Sequence, residues 1–160
     1  MVWIGGGGYP DGGWEYNLQH DLAAARFVFN ESRIPIVQVP QPTYRQCAMS
    51  VAELEAGLCM DAGGAGRWLY ERFTTPPDWV QIGGVWPMGD SPPVLITTDS
   101  VESSESRSVP TPWITADGGY AAHPYPRPPT VYERIDVRLL FGDFFARMRL
   151  HAARAAATAR

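Results

Sequence analysis

Val2 to Pro40 reads VWIGGGGYPDGGWEYNLQHDLAAARFVFNESRIPIVQVP, and this stretch decides the fold. Val2-Trp3-Ile4 is a short apolar run that stops at four glycines, Gly5 to Gly8, as a buried strand feeding a loop does. A helix is expected to open near Asp21, an acidic residue suited to a helix N-terminus, with Leu22, Ala25, Val28 and Phe29 at helical spacing. It should fade at Asn30-Glu31-Ser32, ahead of Pro35. Ile34 to Val39 is then a near-continuous apolar run, the pattern of a strand covered on both faces. Strand, loop, helix and strand make a βαβ unit, which should be parallel with a right-handed crossover.

Its loop would lie at the carboxyl end of a parallel strand, where open α/β sheets place ligands. The glycines do not fit a dinucleotide fingerprint: counting six from Gly5 or Gly6 reaches Pro10 or Asp11. They let the backbone turn sharply, or let it approach a ligand closely. Pro10-Asp11-Gly12-Gly13 reads as a second turn that could make the loop mobile. Trp14-Glu15-Tyr16-Asn17 offers a carboxylate, a carboxamide and flat apolar surface, a combination that suits a sugar.

Composition narrows the chemistry. All 13 basic residues are arginines, so neither a Walker-loop lysine nor a lysine Schiff base is available. A net charge of −4 offers no basic groove for nucleic acid and no polybasic membrane patch. No apolar run is long enough to span a bilayer and no signal peptide is evident, so a cytoplasmic location is expected. Cys47 and Cys59 lack metal-site spacing and read as reduced thiols.

Further along, Pro40 to Met49 reads as a loop in which Tyr44 is a packed tyrosine or a pocket wall. Ser50 and Glu53 form a capping box for a helix carrying Leu54 and Leu58, which stalls at Gly63-Gly64. Arg67 to Phe73 reads as a second helical stretch ended by Pro76-Pro77. Gly89-Asp90-Ser91-Pro92 precedes another turn of helix, where Asp90 is an N-cap or a carboxylate facing the cleft of Glu15 and Asn17. Thr98 to Val109 reads as an exposed loop, Trp113-Ile114 as a short strand, Asp117 to Tyr120 as a turn and His123 as a surface histidine. Val131-Tyr132, after Pro128-Pro129, reads as an edge or closing strand. Asp136 should cap a last helix striped by Val137, Leu140, Phe144 and Met148.

These residues resemble a known family. A strand ending in glycines, Glu15-x-Asn17, Asp21 before Ala23-Ala24, and Ile34-Pro35-Ile36 look like the inosine-uridine-preferring nucleoside hydrolases. Gly89-Asp90-Ser91-Pro92 resembles that family's late aspartate motif, and Tyr132 to Phe145 its closing strand and helix. The resemblance covers Val2 to about Arg149 and matches only a family member's C-terminal half. It implies a mostly parallel open α/β sheet with helices on both faces, truncated at the N-terminus, over 1–149, with an Ala/Arg-rich tail over 150–160. It implies cleavage of a ribonucleoside to base and ribose by metal-activated water. Glu15 and Asn17 would grip ribose hydroxyls, Asp90 would hold Ca2+ and the diol, and Trp14 or Trp86 would stack on the base.

Two departures weaken that activity. Gly89 stands where many family members have a histidine suited to protonating the leaving base. The family's aspartate-rich N-terminal motif, which builds the calcium site and supplies the base for water, does not occur in this sequence. Calcium wants six to eight oxygens, and Asp90 with Glu15 is too few. The chain is therefore expected to be inactive alone, as a fragment, half of a split protein or a defunct enzyme. The expected partners are a ribose-containing small molecule and either a second copy or a missing N-terminal half, since an unpaired sheet edge favours self-association. The alternatives are a non-catalytic ribose- or nucleoside-binding module and a structural domain whose acids are caps.

Overall fold

A computed structural model describes residues 1–158 except Trp79, Ile82 and Ser100. In chain order the elements are β1 (Val2–Ile4), α1 (Tyr16–His20), α2 (Leu22–Arg26), β2 (Val37–Val39), α3 (Gln41–Tyr44), β3 (Ala48–Ser50) and α4 (Val51–Leu54). There follow α5 (Gly63–Thr74), β4 (Val85–Pro87), α6 (Pro92–Thr98), β5 (Glu105–Ser108), β6 (Pro112–Ile114), β7 (Tyr120–Ala122), β8 (Thr130–Arg134) and α7 (Val137–Thr158). Widened π-type turns, Phe27–Glu31 and Glu55–Met60, extend α2 and α4.

The single domain expected over 1–149 divides into two compact units. One comprises 1–47 and 89–136, the other 48–88 and 137–160. The first holds a four-stranded sheet in the order β1-β2-β8-β5. β1, β2 and β8 run parallel, and β5 is antiparallel to β8. The βαβ reading of the opening residues is therefore borne out, with Val2 opposite Val37 and Ile4 opposite Val39. Its core gathers Leu18, Phe29, Ile36 and Ile114, with Trp3 packed edge-on to Phe29 at 5.2 Å between ring centroids. A β6–β7 hairpin turns where Asp117 to Tyr120 predicted a turn.

The second unit pairs β3 with β4 and packs Met49, Leu54, Leu58 and Met88 against Phe73, Phe141, Phe144 and Met148. The capping box of Ser50 and Glu53 is present, and Leu54 and Leu58 share the buried face. The stripe read along the last helix is the face α7 buries. That helix runs on through Thr158, so the tail from residue 150 is a solvated extension of it. Trp86, read as a partner for the base, instead packs into this core from β4.

Other boundaries shift. The first helix opens at Tyr16, a turn before Asp21, because Glu15 caps it. Asp21 caps α2 instead, accepting from Ala24 N at 2.9 Å. Within the expected loop of Pro40 to Met49, Gln41–Tyr44 is helical. Thr98 to Val109 is not all loop either: β5 forms on β8 and carries the ion pairs Arg107–Glu133 and Glu105–Arg134. The N-cap of α6 is Ser91, not Asp90. Among the described residues no helix is long and apolar enough to cross a membrane.

Leu58 has no solvent exposure in the second unit's core. Leu58→Ala should cost about 2–5 kcal/mol, read as a lower urea midpoint. A loss below roughly 1 kcal/mol would show that the side chain is not packed as described.

Candidate functional site

The site is built on the loop between β1 and α1. Glu15 is fully buried and its carboxylate is the loop's anchor. Its Oε2 accepts from Gly6 N at 2.8 Å and from Leu18 N at 2.9 Å. Its Oε1 accepts from the Tyr44 hydroxyl at 2.7 Å. Aspartate and serine are the usual caps. Glutamate's extra methylene lets one carboxylate hold both its own helix and a glycine nine residues back.

A second buried polar side chain supports the other flank. Gln38 interrupts the apolar run of β2 and has no solvent exposure. Its Nε2 donates to Gly5 O at 2.8 Å and to the Tyr120 hydroxyl at 3.2 Å, while its Oε1 accepts from the Tyr9 hydroxyl at 2.7 Å. Gly6 adopts φ +81°, and a Cβ there would lie 2.8 Å from Gln38 Nε2, so the loop needs glycine at this point. Gly12 N donates to Gly8 O at 2.8 Å and Tyr120 N to Asp11 O at 3.0 Å, so the second turn, read as mobile, is held at both ends.

Tyr44 reaches further than Glu15. A Cβ placed on Gly89 would meet the Tyr44 ring at 3.0 Å, so the ring lies against Gly89 while its hydroxyl rests on Glu15. Glu15 and the Gly89-Asp90 segment, far apart in sequence, thus flank one phenol. Asp90 is exposed, and its carboxylate has no hydrogen-bond partner among the described residues. Burial first, then the hydrogen bond and charge of Glu15, push the Tyr44 phenol well above its ordinary range, so it remains a donor.

The other expected residues stand apart. Asn17 Nδ2 donates to Ile4 O at 3.3 Å and lines a shallow hollow of about 220 Å³ with Trp3, Asp21 and Val28. The Trp14 indole is 69% exposed. A wider hollow of about 580 Å³ is walled by Tyr9, Tyr120, Thr111, His123 and Arg107, and none of Trp14, Glu15, Asn17 and Asp90 lines it. His123 is not a free surface histidine: Nδ1 accepts from Tyr125 N at 2.9 Å, and Nε2 lies 3.1 Å from Asn30 O.

Among the described residues no three His, Cys, Asp or Glu side chains gather where an ion could sit. With Glu15 spent on the backbone, Asp90 is a lone acid against a need for six to eight oxygens. Cys47 is a buried free thiol, pushed up to about 11 by desolvation, and Cys59 is also free.

Reading the sequence alone missed Gln38 and undervalued Tyr44. The signal for Gln38 was there: a carboxamide inside a strand read as buried on both faces must be hydrogen-bonded. No family model matches the chain, and neither does any curated protein or solved structure.

Two measurements test this network. Glu15→Ala strands two backbone N–H donors and should cost about 2–5 kcal/mol; Glu15→Gln, whose amide oxygen accepts both, should recover part. Equal losses in the two variants would contradict the anchor role. Desolvation raises the Tyr120 phenol to about 12 and also raises Tyr9 and Tyr44. An unfolded phenol ionises near 10, so the stabilisation is complete below that pH and is lost as pH rises toward about 12. The expected slope is at most about 1.4 kcal/mol per pH unit for each phenol, least for the more open Tyr44. Urea titrations across the alkaline range check it, and Tyr120→Phe should flatten the fall.

Proposed function

We propose that this chain is a ribose- or nucleoside-binding module of the nucleoside hydrolase type that does not cleave the glycosidic bond by itself. The observation that carries the reading is the Tyr44 side chain, whose hydroxyl rests on Glu15 in the loop after parallel strand β1 and whose ring lies against Gly89, next to Asp90 in sequence. Ligands of open α/β sheets sit in that region. A furanose there would find an exposed, unengaged carboxylate in Asp90, while Glu15, buried and fully bonded, shapes the loop behind it.

Hydrolysis of an N-glycosidic bond asks for more. The sugar passes through an oxocarbenium-like state, which needs nearby carboxylates and an activated water. Among the described residues no cluster of three acidic, histidine or cysteine side chains is gathered that could hold a water-activating ion, which favours recognition over cleavage.

A second reading rests on an observation of its own. Glu15 already holds three hydrogen bonds, as a purely architectural residue would. Calorimetry with D-ribose and inosine separates the two. The binding reading expects saturable heats with Kd on the order of 1 mM, about −4 kcal/mol, weakened several-fold by Asp90→Ala. Absence of any heat leaves the architectural reading. Ribose release from inosine by the isolated chain, abolished by Asp90→Ala, would overturn the expectation of inactivity.

A further inference from the structure

We infer that the wide hollow shared by the glycine loop, β5 and the β6–β7 hairpin binds a small flat aromatic carboxylate, with its rings against Tyr9 and Tyr120 and its carboxylate on Arg107.

The hollow measures about 580 Å³, within the range of roughly 300–1,000 Å³ that small-molecule sites occupy. Its walls carry polar side chains whose polar atoms are spent on the protein. The Tyr9 hydroxyl donates to Gln38 Oε1 at 2.7 Å, and the Tyr120 hydroxyl accepts from Gln38 Nε2 at 3.2 Å. The Thr111 hydroxyl donates to Arg127 O. Both ring nitrogens of His123 are engaged, by Tyr125 N and Asn30 O. A ligand therefore meets ring and methyl surface here. The two phenol rings lie 5.1 Å apart with a tilt of 53°, so they offer apolar surface in two planes. Hydrogen bonds from behind hold both rings in place, which keeps the shape of the hollow fixed. Aromatic ligands gain from such surfaces by stacking or edge contacts.

Two charged groups remain on the lining. Arg107 gives its Nε to Glu133 Oε1 at 2.6 Å, and its terminal nitrogens have no hydrogen-bond partner among the described residues. A guanidinium is a planar fork that matches a carboxylate. Burial and the neighbouring Tyr120 push the Tyr9 phenol up while Arg107 pulls it down, so the cation acts on the same ring a ligand would meet. Asp11 is exposed, and its carboxylate also lacks a partner among the described residues. On the same lining it repels a second negative charge, which selects a monoanion over a phosphate. A neutral polyol would leave most of its hydroxyls facing apolar walls. This site is independent of the ribose reading, since none of Trp14, Glu15, Asn17 and Asp90 lines it.

Calorimetry on the full chain at pH 7 tests the assignment with 2-naphthoate as the probe. Saturable one-to-one binding is expected, weakened about tenfold by Arg107→Gln. The neutral 2-naphthylmethanol should bind wild type about tenfold more weakly than naphthoate and be indifferent to that substitution. Glu133→Gln, which frees Arg107, should bind naphthoate at least as tightly as wild type. The dianion 1-naphthyl phosphate should bind more weakly than naphthoate. Absence of naphthoate binding at millimolar concentration, or binding that Arg107→Gln leaves unchanged, overturns the inference. A loss in Glu133→Gln equal to that in Arg107→Gln also overturns it, because the ion pair would then act only by holding β5. Phosphate binding as tight as naphthoate contradicts the choice of a monoanion, and decaproline that displaces naphthoate and binds more tightly reassigns the hollow to a peptide. If Arg107→Gln fails to fold, naphthoate against the alcohol on wild type decides.

Discussion

The first unit depends on one buried carboxyl group. Removing a carboxylate from water is costly, and the cost is recovered only when its lone pairs are filled. Glu15 fills them with two backbone donors and a phenol. The same contacts set the path of the chain. One oxygen ties the start of α1 to Gly6, so the glycine loop closes over the end of β1 and the helix begins at Tyr16. Four consecutive glycines would otherwise leave this segment with many conformations to lose on folding.

Gln38 is the neutral counterpart on the other flank. It satisfies Gly5 O and is itself held by Tyr9 and Tyr120, whose rings lie 5.1 Å apart. The loop is therefore clamped from β2 and from the β6–β7 hairpin as well as from its own helix. Two polar side chains with no solvent exposure around one loop are an expensive arrangement, and no buried side-chain polar atom among the described residues lacks a partner. Such fully satisfied networks rigidify the backbone they hold.

What could be read in advance was whatever residues near in sequence decide. Val2-Trp3-Ile4 and Ile34 to Val39 announced two strands, Ser50 and Glu53 a helix start, and the stripe from Val137 to Met148 a buried helical face. Each depends on periodicity or capping within a turn or two. The failures are contacts across long separations. Glu105 to Ser108 looks like a polar loop because its strand is made by β8, through Arg107 to Glu133 and Glu105 to Arg134. Asp21 seemed the helix start because aspartate is the commoner cap. Glu15 won because Gly6 shares its carboxylate. The candidate site was half legible: Glu15 and Asp90 stood out as acids beside glycines, but the tyrosine between them sits 29 residues from Glu15 and in no motif.

The division of labour around Glu15 also bears on how a rigid loop could serve recognition. A carboxylate bonded only to backbone would be sealed, and one open to water would hold the loop loosely. Here Oε2 carries both backbone bonds and Oε1 carries the one side-chain bond, so the two demands fall on different atoms of the same group. The glycine at position 89 completes the arrangement: any side chain there would press on the Tyr44 ring at 3.0 Å.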